Sequence, residues 1–383
     1  MTIIEGDICP GYEAIGQAFK TLFDQYGEIG AGLCVIHEGE TVIDIWGGTR
    51  DKAGDIAWQG DTRSNLFSAS KAVVAVAVLQ LVERGQLQLD APIAGYWPEF
   101  AANDKAAITL RQVLCHRSGL NAFHERVGDE DIFSWPAITA AIAAETPWWE
   151  PGSRQGYSPM IYGWLLGEVV RRVSGMESFD AYVQQHICAP LGLQLQFGLP
   201  AEQVDQVADL QPLKVKQQVK GGSLIEVMRS DPRGVANRAF SNPPTLLMGT
   251  NQPAWRQAQI PAANGQACAR DLASFYASLA DLNDERLLST ASRPWLWEQQ
   301  SEGLDLVLNN PLSISLGFMR LLPDGVSSSR YFCHPGAGGT LGYADVDRRL
   351  AFGYVTRGMG QAVLFDERAE QLLHAVYQVI EGG

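Results

Sequence analysis

The stretch that decides the reading of this chain is Leu66 to Gly85, "LFSASKAVVAVAVLQLVERG". Its apolar run predicts a helix buried in a core, so two serines and a lysine crowded at its start need a reason. Ser68 and Lys71 are three apart, which on a helix places both side chains on one face, whereas Ser70 points elsewhere. A serine hydroxyl becomes a useful nucleophile when a neighbour accepts its proton, and a neutral lysine can do so. Burial in apolar surroundings lowers a lysine pKa, and the position at a helix start offers unpaired N–H groups that could stabilise an oxyanion. The plainer reading is that Ser68 caps the helix and Lys71 reaches to water. Taken alone, the four-residue pattern favours the cap. Ser68 is nevertheless the only serine here with a lysine three residues on.

Working outward, the two chain ends share a texture. A helical pattern around Tyr12 to Tyr26 precedes "AGLCVIHEGETVIDIWGG", where two β-branched runs flank a turn at Glu38-Gly39-Glu40; this is a hairpin signal. "GYADVDRRLAFGYVTRG" repeats the signal with its turn at Asp345 to Arg349, before an amphipathic helix over Leu364 to Ile380. These ends predict one α/β subdomain, residues 1–75 with 262–383. Residues 76–261, rich in short helical segments such as "WPAITAAIAAE" and "IYGWLLGEVVRRVSG", form a mainly helical insertion. From about 200 to 260 periodicity fades. That is long for a structureless loop, so it is either a cover over a cleft or holds unrecognised strands.

Composition narrows the function. The 383 residues carry a formal charge of -14, with 46% apolar and 19% charged residues, ordinary for a soluble globular protein. Such an acidic chain lacks the basic footprint that nucleic acid or an anionic membrane requires. The local run Lys214, Lys216 and Lys220 reads as a solvated loop. "MTIIEGDICPGYEAIG" has no basic or apolar leader region, so a cytoplasmic location is expected. Six scattered cysteines without close pairs read as reduced and mostly buried, and no metal or other cofactor is implied. The sequence carries no signal for an oligomeric state. It also has no G-x-S-x-G, H-E-x-x-H or Walker pattern.

Taken together, "LFSASK", "LVERGQLQLDAPIAGYWPEF", "ITLRQVLCHRSGL", "PGSRQGYSPMIYGWLLGEVVRRVSG" and "CHPGAGGTLGYADV" resemble the serine β-lactamase-related superfamily, in order and over nearly the whole chain. That group holds class C β-lactamases, DD-peptidases and family VIII carboxylesterases, and the chain looks closest to its cytoplasmic esterase-like branch. The resemblance implies an α/β β-lactamase/transpeptidase-like fold, an antiparallel sheet flanked by helices with an inserted helical subdomain and the active site in the cleft between. It also implies that Ser68 is the nucleophile and Lys71 the general base. Tyr157 in "GYSPM" matches the tyrosine that shares proton transfer, with Tyr162 as the fallback.

His334 to Gly336, "HPG", matches the third element, where β-lactamases have Lys-Thr-Gly. Gly336 lets the strand approach a ligand, and the Ala337 N–H would be a second oxyanion donor opposite that of Ser68. His334 could bond Tyr157 or the substrate. Trp148 and Trp149 either wall the acyl pocket or pack in the core, and His116 in "CHRSGL" reads as a structural loop residue. Two departures weaken an antibiotic reading: Pro159 stands where class C enzymes have asparagine, and His334, only partly charged near neutrality, replaces a permanent cation. The expectation is a serine hydrolase acting through an acyl-enzyme on small-molecule esters. Hydrolysis of β-lactams or D-amino-acid peptides, acyl transfer to an alcohol, and a non-catalytic binding protein of the same fold are the alternatives.

Overall fold

Side chains alternate between two faces along a strand, and both ends of this chain use that alternation to build one sheet with two cores. The computed structural model describes residues 2–215, 224–243 and 249–382. A six-stranded sheet runs in the spatial order Ile4–Ile8, Glu40–Gly48, Gly30–His37, Leu350–Thr356, Leu341–Asp345 and Tyr331–Pro335. Each of these neighbours pairs antiparallel. Leu33 and Val35, with Phe352 and Tyr354, face the terminal helices Glu13–Gln25 and Glu367–Gly382 and bury Phe19, Leu22, Leu372 and Val376. Cys34, Ala351 and Val355 face the opposite way, toward helix Ala269–Ala280. That second face is small by necessity: a Cβ on Gly353 would lie 2.4 Å from the Ala269 carbonyl oxygen.

The first hairpin turns on Glu38 and Gly39, both at positive φ (53° and 87°), the conformation of the tightest hairpin turns. Glu40, expected in the turn, already pairs with His37. The C-terminal helix starts at Glu367, later than expected, because Asp366 closes its first turn by accepting from the Arg368 N–H at 3.0 Å. The edge strand Ile4–Ile8 adds to the sequence expectation: its residues are mostly exposed, so no alternating apolar pattern marks it.

Helix Ser70–Glu83 is buried all round, as its uniform apolarity demands. It packs on helix Ile161–Ser174, and its one central polar residue, Gln80, is satisfied by the Leu287 carbonyl at 3.0 Å and by Tyr182 at 3.2 Å. The helix crosses residues 75 and 76 as one continuous element. Between 200 and 260 the described residues form helical turns at Ala201–Gln206, Leu224–Ser230, Val235–Ser241 and Pro253–Gln257, and Gln211–Pro212 pairs parallel with Gly358–Met359. Lys216 and Lys220 lie outside the described residues, and Lys214 is exposed. Among the described residues no helix is long and apolar enough to cross a membrane.

Candidate active site

Ser68 sits in a single 3₁₀ turn, Phe67–Ala69, that feeds directly into helix Ser70–Glu83. Phe67, immediately before it, is held at φ 47°, a left-handed conformation rare for a bulky residue. Such an outlier survives only where its surroundings over-determine it. Ser70 takes no part: it is fully buried and its hydroxyl accepts the Gly265 N–H at 3.1 Å.

Lys71 is fully buried, and its Nζ lies 3.2 Å from Ser68 Oγ, 2.7 Å from the Pro159 carbonyl and 3.0 Å from the Ala262 carbonyl. Two carbonyls can take the two N–H groups of a neutral amine, which leaves its lone pair for the serine proton. Desolvation drives the Lys71 pKa well below the ordinary lysine value. Position 159, where asparagine is absent, thus contributes through its backbone: Pro159 supplies an acceptor that any residue could supply. Ala262 is brought in by close packing, since a Cβ on Gly163 would lie 2.2 Å from the Ala262 nitrogen.

Tyr157 occupies an irregular segment, with its ring 4.9 Å from Lys71 Nζ. Burial pushes its phenol above the ordinary value, while a hydrogen bond from the Ser68 side pulls the other way. Its backbone N–H donates to Asp305 Oδ1 at 3.0 Å, an oxygen that also accepts from Val307 at 3.0 Å and Leu308 at 2.9 Å. Asp305 is fully buried. This anchor was invisible in the sequence, because a carboxylate 148 positions away signals nothing by spacing.

His116 packs between Tyr157 and Tyr162, with ring centroids at 4.7 and 4.9 Å. Its Nδ1 accepts the Ser158 N–H at 3.1 Å, so in the neutral ring the proton is on Nε2. His116 therefore props the Tyr157 segment. Tyr162 is buried in this stack and does not line the cavity beside Ser68.

His334 is buried on strand Tyr331–Pro335, its ring centroid 6.4 Å from that of Tyr157. Its Nδ1 meets the Pro335 carbonyl at 2.9 Å, which fixes the proton there and leaves Nε2 as an acceptor. Desolvation, aided by the charge of Lys71, lowers its pKa to about 3. The expected partial charge near neutrality is thereby corrected: His334 is neutral because it is dry.

Ser68, Tyr157, Pro159, Ala337 and Gly338 line one cavity of about 660 Å³. Its walls include Phe67, Met160, Leu210, Phe240, Trp255 and Met359. Among the described residues that line it there is no lysine, arginine, histidine, aspartate or glutamate. Gly336 lies just behind, against the Ser68 turn: a Cβ there would come within 2.2 Å of the Leu66 carbonyl oxygen. Trp148 and Trp149 are not in this wall. Trp148 stacks on His124 at 4.1 Å and donates to the Ala122 carbonyl at 2.8 Å, while the Trp149 ring packs against Gly156. The wall comes instead from the weakly patterned segment after residue 200 and from residues 359–363.

The chain resembles known proteins in sequence and fold. The chain is 30% identical over 359 residues to the Esterase/beta-lactamase LipL of Mycobacterium tuberculosis, covering 90% of this chain and 81% of that one. A penicillin-binding protein homolog from Caulobacter crescentus superposes with TM-score 0.88 at 35% identity, over 98% of this chain and 100% of the other. The crystal structure of a family VIII carboxylesterase does so with TM-score 0.89 at 31% identity, again over 98% and 100%. The Beta-lactamase family model matches residues 15–377, and with that match the chain belongs to the beta-lactamase family and is a serine hydrolase.

Proposed function

We propose that the protein hydrolyses carboxylic esters of small, uncharged molecules through an acyl-enzyme on Ser68. The observation that carries this reading is the apolar cavity beside Ser68, whose described lining holds no charged side chain. A β-lactam or a peptide terminus brings a carboxylate, and a desolvated carboxylate without a cation is costly. The neutral His334 offers none.

In the proposed reaction Ser68 Oγ attacks the ester carbonyl as its proton passes to the Lys71 lone pair, 3.2 Å away. The carbonyl oxygen becomes an oxyanion, stabilised by the N–H groups of Ser68 and Ala337. Collapse breaks the bond to the alkoxy group, which takes the proton from Lys71 by way of the Tyr157 hydroxyl and leaves as an alcohol. Water then attacks the acyl-serine, giving one proton to Lys71; the adduct collapses by breaking its bond to Ser68 Oγ, which takes that proton back from Lys71 as the acid departs. Lowered Lys71 and raised Tyr157 pKa values favour the lysine as base and the tyrosine as relay. Gly336 and His334 position the Ala337 segment.

We place this cleft between the sheet subdomain of residues 1–75 and 262–383 and the helical insertion of residues 76–261. The proposed setting is the cytoplasm, supported by six unpaired cysteines, a pattern of reducing compartments. The test is hydrolysis of p-nitrophenyl butyrate against nitrocefin. Ester turnover with higher kcat/KM, lost in Ser68→Ala, is expected; a nitrocefin kcat/KM above that for the ester would replace this reading with a β-lactamase one.

A further inference from the structure

The segment behind the proposed second oxyanion donor reads Gly336-Ala337-Gly338-Gly339. Gly338 and Gly339 stand at φ 86° and 128°, where other residues are strained, and glycine loses more freedom on ordering than any other residue. Short main-chain bonds hold part of it: the Gly336 N–H donates to the Thr340 carbonyl at 2.7 Å and that of Gly339 to the Gly336 carbonyl at 3.2 Å. An oxyanion donor must be fixed within a fraction of an ångström, so a glycine loop in that role needs an outside support.

The support is Arg368. Its guanidinium is fully buried and donates through Nη2 to the carbonyls of Gly338 and, at 2.8 Å, Gly358. The Gly360 N–H reaches the same Gly338 oxygen at 3.0 Å. A Cβ on Gly339 would lie 2.5 Å from Arg368 Nη2, so the loop rests directly on the guanidinium. The fork is itself oriented by Asp366 Oδ1 at 2.9 Å on Nε and Glu28 Oε2 at 2.6 Å on Nη1. Glu28 also accepts from Tyr354 at 2.6 Å and from the Ile29 N–H at 2.8 Å. Gly338 and Gly360 line the cavity with Ser68, and the three charged residues stand one layer behind them.

A buried ion cluster is a weak source of stability, since well-packed apolar residues often do as well. What it supplies is position. We infer that Arg368, oriented by Glu28 and Asp366, is a positioning residue that pins the Gly338 carbonyl and thereby aims the Ala337 N–H at the oxyanion. This rests on the reading of Ala337 as an oxyanion donor.

The experiment measures kcat and KM for p-nitrophenyl butyrate, per active site counted by complete fluorophosphonate labelling, and the affinity for phenylboronic acid as a tetrahedral analogue. Arg368→Lys keeps the charge and removes the fork. Its kcat is expected to fall at least about tenfold with KM within about twofold, and boronate affinity to fall in parallel, because loss of a whole oxyanion donor costs about 10²–10³. A purely structural Arg368 would lower the melting temperature and leave kcat per labelled site within twofold of wild type, and that result overturns the inference. Should Arg368→Lys not fold, Glu28→Gln is judged by the same thresholds. Ala337→Pro, which deletes the N–H, separates the two claims. If it retains kcat, the oxyanion reading fails and the inference with it; if it loses kcat while Arg368→Lys does not, only the clamp is wrong.

Discussion

Lys71 shows what a single position can disclose and what it hides. Its spacing from Ser68 was legible, as was the dryness of the helix that carries it. The acceptors at Pro159 and Ala262 were not, since a backbone carbonyl leaves no mark on the residue that bears it. The same holds for Asp305, found only because the chain folds it beneath Tyr157. The lowered Lys71 pKa has a pH signature. Protonation as pH falls removes the lone pair, so kcat/KM should have an acid limb centred well below 10.5, with activity lost on its acidic side. A pH–rate profile still rising near pH 10 would show an unperturbed lysine. Lys71→Ala should lower kcat about 10²–10⁴-fold, the usual worth of a positioned base. The buried neutral histidines set a stability signature of opposite origin. The unfolded chain binds protons below about 6.5 that His334 refuses until about 3. Stability should therefore fall as pH drops through that window, and urea midpoints for His334→Gln should flatten the slope.

Elements with one strong local pattern are legible in the sequence; the rest form where a local signal is overridden or absent. The buried helix Ser70–Glu83 and the hairpin at Glu38 were visible because apolarity and turn chemistry are local properties. The segment after residue 200 gave no period, yet it builds much of the cavity wall, because residues such as Leu210, Phe240 and Trp255 reach the cleft singly. Trp148 and Trp149 seemed equally suited by composition and pack elsewhere. Gly163 within helix Ile161–Ser174 offers a sharp test of packing against propensity. Glycine to alanine inside a helix normally stabilises by up to about 1 kcal/mol. Here the added Cβ would lie 2.2 Å from the Ala262 nitrogen, beside the carbonyl that Lys71 uses. Gly163→Ala should therefore lower both the urea midpoint and kcat; a more stable, fully active variant would show that the contact yields freely.

The two chain ends close one sheet, and the Ser68 helix is gripped between that sheet and the helices of the middle. The terminal pairing is legible in the matching hairpins, whereas the Glu28–Asp366–Arg368 cluster that joins those ends has no sequence signal, since Glu28 lies 340 positions from Arg368 and only Asp366 is its near neighbour. A global check is thiol access. Cys9 is partly exposed and the other five cysteines are buried, so a thiol reagent should label one cysteine quickly in the native protein and all six after denaturation. Rapid native labelling of several would contradict the packing of both cores. The central claim is that Ser68 is the activated nucleophile, and covalent capture addresses it most directly. Folded protein treated with a fluorophosphonate and digested with trypsin yields the peptide Ser64 to Lys71, which holds Ser64, Ser68 and Ser70. Fragment masses should place the label on Ser68 and leave the other two serines unmodified; a label on a different residue, or none on protein shown to be folded, would contradict the account.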